Sequence, residues 1–183
     1  MPGLSPRLAG RDDIAALETV MEAAIGELQR AFLSPEQIDA SRAIMGLDRQ
    51  LIADGTYFVV ETPHDRGVRI AGCGGWSRRA TLYGGDHSPG RDAALLDPAS
   101  DPARVRAMYT HPDFARRGVG RLILALCEDA ARAEGFTRLE LMATLSGQPL
   151  YSRCGYAEIE RTLDPRGGAP VPLIRMGKAI NAP

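Results

Sequence analysis

The sequence predicts a mixed α/β fold in which helices pack against a β-sheet. Two observations lead to this prediction. Segments with a helical repeat of apolar side chains alternate along the chain with short β-rich segments bounded by glycine and proline. The resulting order, β-α-α-β-β-β-α-β-α-β-β, is typical of helices layered on a sheet. With 183 residues, 44% of them hydrophobic, the chain suits a single domain over residues 1–183 with a full core.

Composition argues against several classes of function. The net charge of -1 and the aromatic content of 5% argue against nucleic-acid binding. No apolar run approaches the roughly 18 residues of a membrane span, and the N-terminus lacks a secretory signal. Cys73, Cys127 and Cys154 have no C-x-x-C spacing, which indicates reduced thiols and no metal site. We therefore expect a cytoplasmic protein that binds neither nucleic acid nor membranes.

The first third of the chain is predicted to begin with a strand and two helices. A short strand is expected at residues 6–9, and a helix with one apolar face begins near 11–13. Ser34 and Pro35 form a helix start, with Ser34 as the N-cap and Pro35 at the first helical position. We expect this second helix to run to about Asp48.

A β-hairpin with an unusual number of glycines is predicted next. Its strands are residues 56–61 and 68–77, and a polar loop over 78–102 follows. Glycines inside a strand usually mark a bulge or a close approach of backbone or ligand; here they are Gly72, Gly74 and Gly75. A loop of this length is functional or mobile, and we consider it a candidate lid over a pocket.

The most informative stretch is a strand, a turn and a helix start. Residues 105–110 are predicted as a strand, residues 111–115 as a turn, and the helix that begins within 116–121 ends at Gly135. Gly118 and Gly120 remove two side chains where the first free amide groups of the helix point outward. Such amides, together with the helix dipole, form a site for phosphate.

Two familiar phosphate loops do not fit this turn. A Walker A loop requires a Lys-Ser/Thr pair that the stretch lacks, and a dinucleotide-binding turn requires Gly or Ala where Ile123 stands. Beyond the helix, strands are predicted at 138–144, near 156–163 and at 171–178, with a short helix around 147–154.

The glycine turn resembles the acetyl-CoA loop of the GNAT superfamily of N-acetyltransferases, usually written Q/R-x-x-G-x-G/A. Ala115 stands where the family typically has Gln or Arg, and Arg116 and Arg117 lie beside it. The resemblance covers nearly the whole chain. It implies a mixed, mostly antiparallel sheet, flanked by helices and splayed between the strands at 105–110 and 138–144, with the pantetheine arm in the gap.

A second motif strengthens the resemblance. Residues 144–156 read TLSGQPLYSRCGY, and the family commonly shows an Asn followed by Y-x-x-x-G-F/Y here. Thr144 stands at the Asn position, and Tyr151 matches the motif tyrosine. The resemblance implies that Tyr151 is the general acid that protonates the departing thiolate. The alternative is that its ring simply packs in the core.

The resemblance therefore implies acetyl-CoA as cosubstrate, with no metal. A main-chain amide near Met108 would polarise the thioester carbonyl. The residues expected to hold acetyl-CoA are Met108, Tyr109, Thr110, Arg116, Arg117, Gly118, Val119, Gly120, Arg121, Thr144 and Tyr151.

The acceptor site and the general base are less clearly indicated. Trp76, the only tryptophan, is a candidate wall of the acceptor pocket, and Arg78 and Arg79 follow it. The alternative is a core tryptophan followed by two solvated arginines. Glu61 and His111 are candidate bases, and deprotonation of the amine by water remains open.

We expect acetyl transfer to a primary amine of a small molecule or peptide by direct attack. Cys154 has no nearby histidine in sequence, which disfavours a covalent thiol intermediate. The alternative is a non-catalytic module that binds CoA as a sensor or partner domain. The apolar alternation of Val171, Leu173 and Met176 suggests that the last strand could be exchanged between the two copies of a homodimer or pair across it.

Overall fold

The computed structural model describes residues 3–65 and 67–180, over which seven strands and five α-helices follow one another. The strands are β1 (Ser5–Leu8), β2 (Tyr57–His64), β3 (Gly67–Ser77), β4 (Ala103–Thr110), β5 (Arg138–Thr144), β6 (Ala157–Asp164) and β7 (Val171–Ala179). The helices are α1 (Ile14–Leu28), α2 (Pro35–Ser41), α3 (Arg49–Ala53), α4 (Val119–Ala133) and α5 (Gln148–Arg153). None of the helices in these ranges is both long and apolar enough to cross a bilayer.

The strands form one sheet in the order β1-β2-β3-β4-β5-β7-β6. Every neighbouring pair is antiparallel except β4 and β5, which are parallel. The predicted mixed, mostly antiparallel sheet is therefore confirmed. The last strand, β7, lies between β5 and β6 and buries Val171, Leu173 and Met176. Both edges of β7 are occupied within the chain, so this strand has no free edge for pairing with a second copy, and its exchange between two copies stays a prediction.

Helices cover both faces of the sheet, and each face has its own core. On the face that we call the α1 face, Leu17 and Met21 pack with Val59 and Leu173. On the opposite face, the α4 face, Ile123 and Leu124 pack with Leu141 and Ile174. Leu173 and Ile174 enter different cores because successive side chains of a strand point to opposite faces.

The segment between Ser34 and Asp48 differs from the prediction. Ser34 caps α2 as expected, since its hydroxyl accepts a hydrogen bond from Gln37 N at 3.2 Å. The helix ends at Ser41 rather than near Asp48. Asp48 instead begins α3 by accepting a hydrogen bond from Gln50 N at 3.0 Å. The predicted helix is therefore only seven residues long, and α3, which the sequence did not predict, begins where that helix was expected to end.

The glycines of β3 allow α4 to lie close to the sheet. A Cβ at Gly72 would lie 2.6 Å from Cγ1 of Val119, and a Cβ at Gly74 would lie 2.9 Å from Cγ2 of Ile123. Both distances are shorter than an ordinary contact, so only glycine fits without a shift of the helix. The predicted bulge is also present, between Cys73 and Gly75.

Candidate active site

A gap opens in the middle of the sheet between β4 and β5. The two strands pair only through Ala103 with Leu139 and Arg104 with Glu140, and beyond these pairs they diverge. The carboxylate of Glu140 fixes this last pair, since it accepts a hydrogen bond from Arg104 Nη1 at 2.7 Å. A cavity of about 680 Å³ occupies the gap and reaches both faces of the sheet. The expected splay between these strands is therefore present.

A bulge in β4 shapes one wall of the gap. Ala107 and Met108 together oppose the single residue Gly74 of β3, and Ala107 has a φ angle of +49°. A left-handed backbone is costly for a residue other than glycine. The bulge places the side chains of Ala107 and Tyr109 on the α1 face and that of Met108 on the α4 face.

The turn between β4 and α4 lines the gap on the α4 face. Arg116 and Gly118 have φ angles of +65° and +87°, and α4 begins at the next residue, Val119. Consecutive turn residues of this kind direct their amides into an anion-binding concavity. No side chain of the described residues caps α4, so the first amides of the helix remain available.

Positive charge surrounds this turn without protein counter-ions. Arg116, Arg121 and Arg153 line the cavity, and within the described ranges none of them forms an ion pair or a side-chain hydrogen bond. Arg117 does not line the cavity, and its guanidinium lies 5.7 Å from the centre of the Phe114 ring. The turn thus combines free amides with unneutralised arginines, a combination suited to phosphate groups.

The end of β5 and the start of α5 form the facing wall. Thr144 Oγ1 accepts a hydrogen bond from Gly147 N at 3.2 Å, which holds the turn into α5. This turn places Tyr151 against the cavity, with its ring in edge contact with Tyr156 at 6.0 Å between centres.

Tyr151 has an unused hydroxyl. Among the residues that the structure describes, none forms a hydrogen bond with it, although the side chain is only 8% exposed. Burial raises the pKa of Tyr151, with smaller contributions from Cys127 and Tyr109. The phenol therefore keeps its proton at neutral pH and can donate it to a group in the cavity.

The cavity has two halves that correspond to the two faces of the sheet. The α4 half contains the glycine turn and α5. The α1 half is lined by the C-terminal end of α1 and by residues 44–46, 82–84, 142 and 173. A hydrogen bond of 2.8 Å from Gly46 N to the hydroxyl of Tyr109 connects residues 44–46 to β4.

The loop over residues 78–102 forms part of the wall of the α1 half. Its Leu82, Tyr83 and Gly84 line the cavity. The loop is tied down by Arg91, whose Nη2 lies 2.8 Å from Asp48 Oδ1, and by the Tyr83 hydroxyl, which donates to Asp164 Oδ2 at 2.8 Å. These part-buried bonds hold the loop against its neighbours as part of the wall, and its role as a lid stays a prediction.

The structure brings nearly all of the predicted cofactor residues to one cavity. Only Arg117 among them does not line it. The residues that do line it are Met108, Tyr109, Thr110, Arg116, Gly118, Val119, Gly120, Arg121, Thr144 and Tyr151.

The residues predicted for the acceptor site lie elsewhere. Trp76 is 2% exposed and packs edge-on against Phe136 in the core of the α4 face. Arg78 and Arg79 are engaged by Glu134 and Asp54. Trp76 is therefore a core residue, as the alternative interpretation had it. It does not form the expected wall of the acceptor pocket.

Neither candidate base reaches the cavity. Glu61 lies on β2 and pairs with Arg7, with Nη2 to Oε1 at 2.7 Å. His111 caps the turn after β4 by accepting a hydrogen bond from Asp113 N at 3.2 Å. Both side chains serve local structure, and the cavity contains no carboxylate or imidazole from the described residues.

The sequence did not reveal the α1 half. Gln29, Met45, Leu82, Met142 and Leu173 line it, yet they come from five separate segments and match no motif. The periodic spacing of hydrophobic residues indicated only that each segment has one buried face, and not which other segments that face contacts. Long-range pairing of the strands decides that they meet.

Comparisons with known proteins agree with this geometry. The model of the acetyltransferase (GNAT) family matches residues 21–156. A search of curated proteins found no significant match.

Solved structures share the fold at low sequence identity. A GCN5-related N-acetyltransferase from Rhodopseudomonas palustris is 23% identical, with a TM-score of 0.68, over 98% of this chain and 96% of that one. The ribosomal-protein-S18-alanine N-acetyltransferase of Escherichia coli is 17% identical, with a TM-score of 0.59, over 99% and 96%. The PaiA N-acetyltransferase of Thermoplasma acidophilum, solved with coenzyme A, is 13% identical, with a TM-score of 0.63, over 97% and 99%.

The splayed sheet and the glycine turn thus define an acyltransferase of the acetyl-CoA-dependent class. The chain belongs to the GNAT family of acetyltransferases, since the family model covers well over half of it. Acetyl-CoA is accordingly its cosubstrate, and its activity is N-acetyl transfer.

Proposed function

We propose that this protein transfers the acetyl group of acetyl-CoA to a primary amine by direct attack, without a covalent enzyme intermediate. One observation carries the proposal: a single cavity joins a turn with free amides on the α4 face to an unpaired tyrosine hydroxyl and an open space on the α1 face. Donor, acid and acceptor can therefore meet in the gap between β4 and β5.

The glycine turn is proposed to hold the diphosphate of acetyl-CoA. The amides of Val119, Gly120 and Arg121 are the first of a fifteen-residue helix, and no side chain caps them. Arg116 and Arg121 supply mobile positive charge beside the same amides. Main-chain amides carry most of the binding in such turns, which would explain how Ala115 can replace the usual Gln or Arg.

The main chain of β4 is proposed to bind the pantetheine arm. Beyond Arg104 the strand has no partner on the β5 side, so its groups on that edge are free for an extended ligand. The bulge at Ala107 and Met108 interrupts the ladder where the thioester would lie. We assign the Met108 amide as the group that polarises the thioester carbonyl.

Tyr151 is proposed as the general acid. The amine nitrogen forms a bond to the acetyl carbon, the carbon–sulfur bond breaks, and the thiolate takes the phenolic proton of Tyr151. The proton lost by the amine nitrogen restores the phenol directly or through water. Burial raises the pKa of Tyr151, so the phenol is protonated at neutral pH, and the same burial raises the proton affinity of the thiolate that departs in the cavity.

We assign the deprotonation of the amine to water, favoured by the apolar surroundings of the cavity. No carboxylate or imidazole of the described residues lines it, so a side-chain base has no support there. Burial in apolar surroundings lowers the pKa of an ammonium group. The amine can therefore give its proton to water on entering and attack in its neutral form.

A covalent route through Cys154 has no geometric support. The thiol is half-buried and does not line the cavity, while the adjacent Arg153 does. Direct attack requires only that amine and thioester share the gap.

The test is the release of CoA thiol from acetyl-CoA in the presence of a panel of amines, with Tyr151→Phe compared with Tyr156→Phe. Tyr156 is a buried neighbour that does not line the cavity, and its hydroxyl has no hydrogen-bond partner among the described residues. We expect Tyr151→Phe to lower kcat about 100-fold, with an unchanged dissociation constant for CoA in calorimetry.

Two results would contradict the proposal in different ways. Equal kcat values for Tyr151→Phe and Tyr156→Phe would remove Tyr151 from the reaction. Binding of CoA without acetylation of any amine would favour the non-catalytic sensor or partner module.

A further inference from the structure

We infer that the acceptor is a monoamine with an apolar body, held in the α1 half of the cavity by apolar side chains and by the side-chain carbonyl oxygen (Oε1) of Gln29. This inference rests on the proposed acetyl transfer and specifies its acceptor.

Apolar side chains make the wall of the α1 half. They come from the end of α1, from the turn after α2, from the loop after β3 and from β7: Leu28, Phe32, Ile44, Met45, Leu82 and Leu173. Phe32 is 48% exposed although it lines the cavity. When a large apolar side chain at an opening covers an apolar ligand, binding is stabilised by about 25 cal/mol for each Å² of apolar surface removed from water.

The α1 half offers nothing to neutralise a second positive charge. No Asp or Glu of the described residues lines the cavity. The buried carboxylates of the described residues are engaged: Asp48 by Arg106 and Arg91, both at 2.8 Å, and Asp164 by Arg166 at 2.6 Å.

A polycationic acceptor would therefore be penalised. Its reacting nitrogen can lose a proton, but every further ammonium group would lose water without gaining a counter-ion. Polyamines and aminoglycosides carry several such groups, whereas a monoamine with an apolar body carries none after deprotonation.

Gln29 is the one amide side chain in this wall, and its orientation follows from its neighbours. The hydroxyl of Ser41 donates to Ile38 O at 2.7 Å, so its oxygen must accept a bond from Gln29. The atom facing Ser41 at 3.3 Å is therefore the amide nitrogen, which also faces the sulfur of Met45 at 3.6 Å.

The side-chain carbonyl oxygen of Gln29, Oε1, consequently has no hydrogen-bond partner among the described residues. The side chain is 3% exposed and lines the cavity, and Oε1 accepts no hydrogen bond from the described residues. Oε1 is not among the described side-chain atoms that are both fully buried and unpaired, so it is open to the cavity, where a ligand that supplies an N–H or O–H can replace water as its donor. Gln29 thus acts as a specificity residue that accepts one hydrogen bond from the acceptor.

The first experiment compares amines with the full-length protein at saturating acetyl-CoA. Hexylamine, 2-phenylethylamine and tyramine represent the inferred class, and spermidine and kanamycin represent polycations. We expect kcat/KM for the monoamines to exceed that for the polycations at least 100-fold. Better turnover of spermidine or kanamycin would overturn this inference and leave acetyl transfer intact. Failure of every amine would overturn the proposed function itself.

A charge placed at the opening gives the second test. Phe32→Glu should raise kcat/KM for spermidine and lower that for 2-phenylethylamine, each about 10-fold. Val68→Glu is the control, because Val68 is 66% exposed and does not line the cavity. Identical preferences in the two variants would overturn the assignment of the α1 half to the acceptor.

Gln29→Met tests the hydrogen bond while keeping the length of the side chain. We expect kcat/KM to fall about 10-fold with the dissociation constant for CoA unchanged. A fall for all three monoamines identifies the amine N–H as the donor, and a fall for tyramine alone identifies its hydroxyl. Unchanged kcat/KM for every monoamine would overturn the role of Gln29.

Discussion

The hydroxyl of Tyr57 donates a hydrogen bond of 2.8 Å to the carbonyl oxygen of Ala107. Tyr57 lies on β2, two strands away from the gap, and is 1% exposed. Ala107 is the residue of the β4 bulge with a φ angle of +49°. The bond therefore connects β2 with the strained residue beside the proposed thioester site, and it stabilises the bulge.

Removal of this hydroxyl is expected to loosen the bulge. Tyr57→Phe leaves the Ala107 carbonyl without its donor, which should lower the free energy of unfolding by about 1–3 kcal/mol. Because the adjacent Met108 amide is proposed to polarise the thioester, kcat should also fall. Urea unfolding and steady-state kinetics measure the two effects, and a stability loss with unchanged kcat would separate the bulge from catalysis.

Gly120 lines the α4 half of the cavity at a position where a side chain would contact Leu150. A Cβ at Gly120 would lie 2.8 Å from Cδ2 of Leu150, the flexible end of a side chain that can move aside. We expect Gly120→Ala to leave stability unchanged or slightly higher, because alanine favours the helix. The displaced Leu150 and the added methyl group should weaken binding of CoA about 10-fold in calorimetry.

Gly118→Ala is the matched variant. Nothing lies within 4 Å of a Cβ at Gly118, but its φ angle is +87°. We expect a loss of about 1–2 kcal/mol in the free energy of unfolding from the backbone alone. If Gly120→Ala destabilised the protein as much as Gly118→Ala, the steric account of position 120 would be wrong.

The sequence predicted those parts of the site that depend on local signals. The glycine turn, β5 at residues 138–144 and the short helix carrying Tyr151 each have their determinants within about ten residues. The structure matched them because a helix start, a strand and a turn are encoded by neighbouring residues.

Long-range contacts decided the features that the sequence did not predict. Asp48 was expected to end a helix, yet its carboxylate pairs with Arg106, 58 residues further along. Trp76 was expected at the acceptor pocket, yet the strand alternation of β3 turns it towards Phe136. Gln29 carried no motif at all. Such roles depend on which strands become neighbours, and that information is spread over the whole chain.

The pair formed by Asp48 and Arg106 gives a test of one such contact. Their side chains are 1% and 2% exposed, and Arg106 also donates to the carbonyl of Thr81 at 3.0 Å. Asp48→Asn would leave the guanidinium buried without a counter-ion, and we expect a loss of about 3–5 kcal/mol in the free energy of unfolding.

The control for Asp48→Asn is Asp39→Asn. Asp39 pairs with Arg42 at 2.8 Å, but its side chain is 83% exposed, so the loss should be below about 1 kcal/mol. Similar losses for both variants in urea unfolding would contradict the buried ion pair as a main support of the cavity wall.

Stability is expected to decrease in alkaline solution because several thiols and phenols are buried. Burial raises the pKa of Cys73 to about 12 and raises the pKa of Cys127 and Tyr109 as well. In the unfolded chain these groups ionise near their ordinary pKa values, about 8.5 for Cys and about 10 for Tyr. Above pH 8.5 the unfolded state therefore binds fewer protons than the folded state, and the free energy of unfolding falls as the pH rises.

The slope identifies the groups responsible. Each buried thiol should contribute up to about 1.4 kcal/mol per pH unit between pH 8.5 and its folded pKa. Urea unfolding at pH 8, 9 and 10 should show that Cys127→Ala reduces the slope by about this amount. Ile123→Val, a fully buried substitution in the same core, should lower stability by about 0.5–1.5 kcal/mol equally at all three pH values. A profile that stays flat to pH 10 would mean that these thiols are ionised equally in both states.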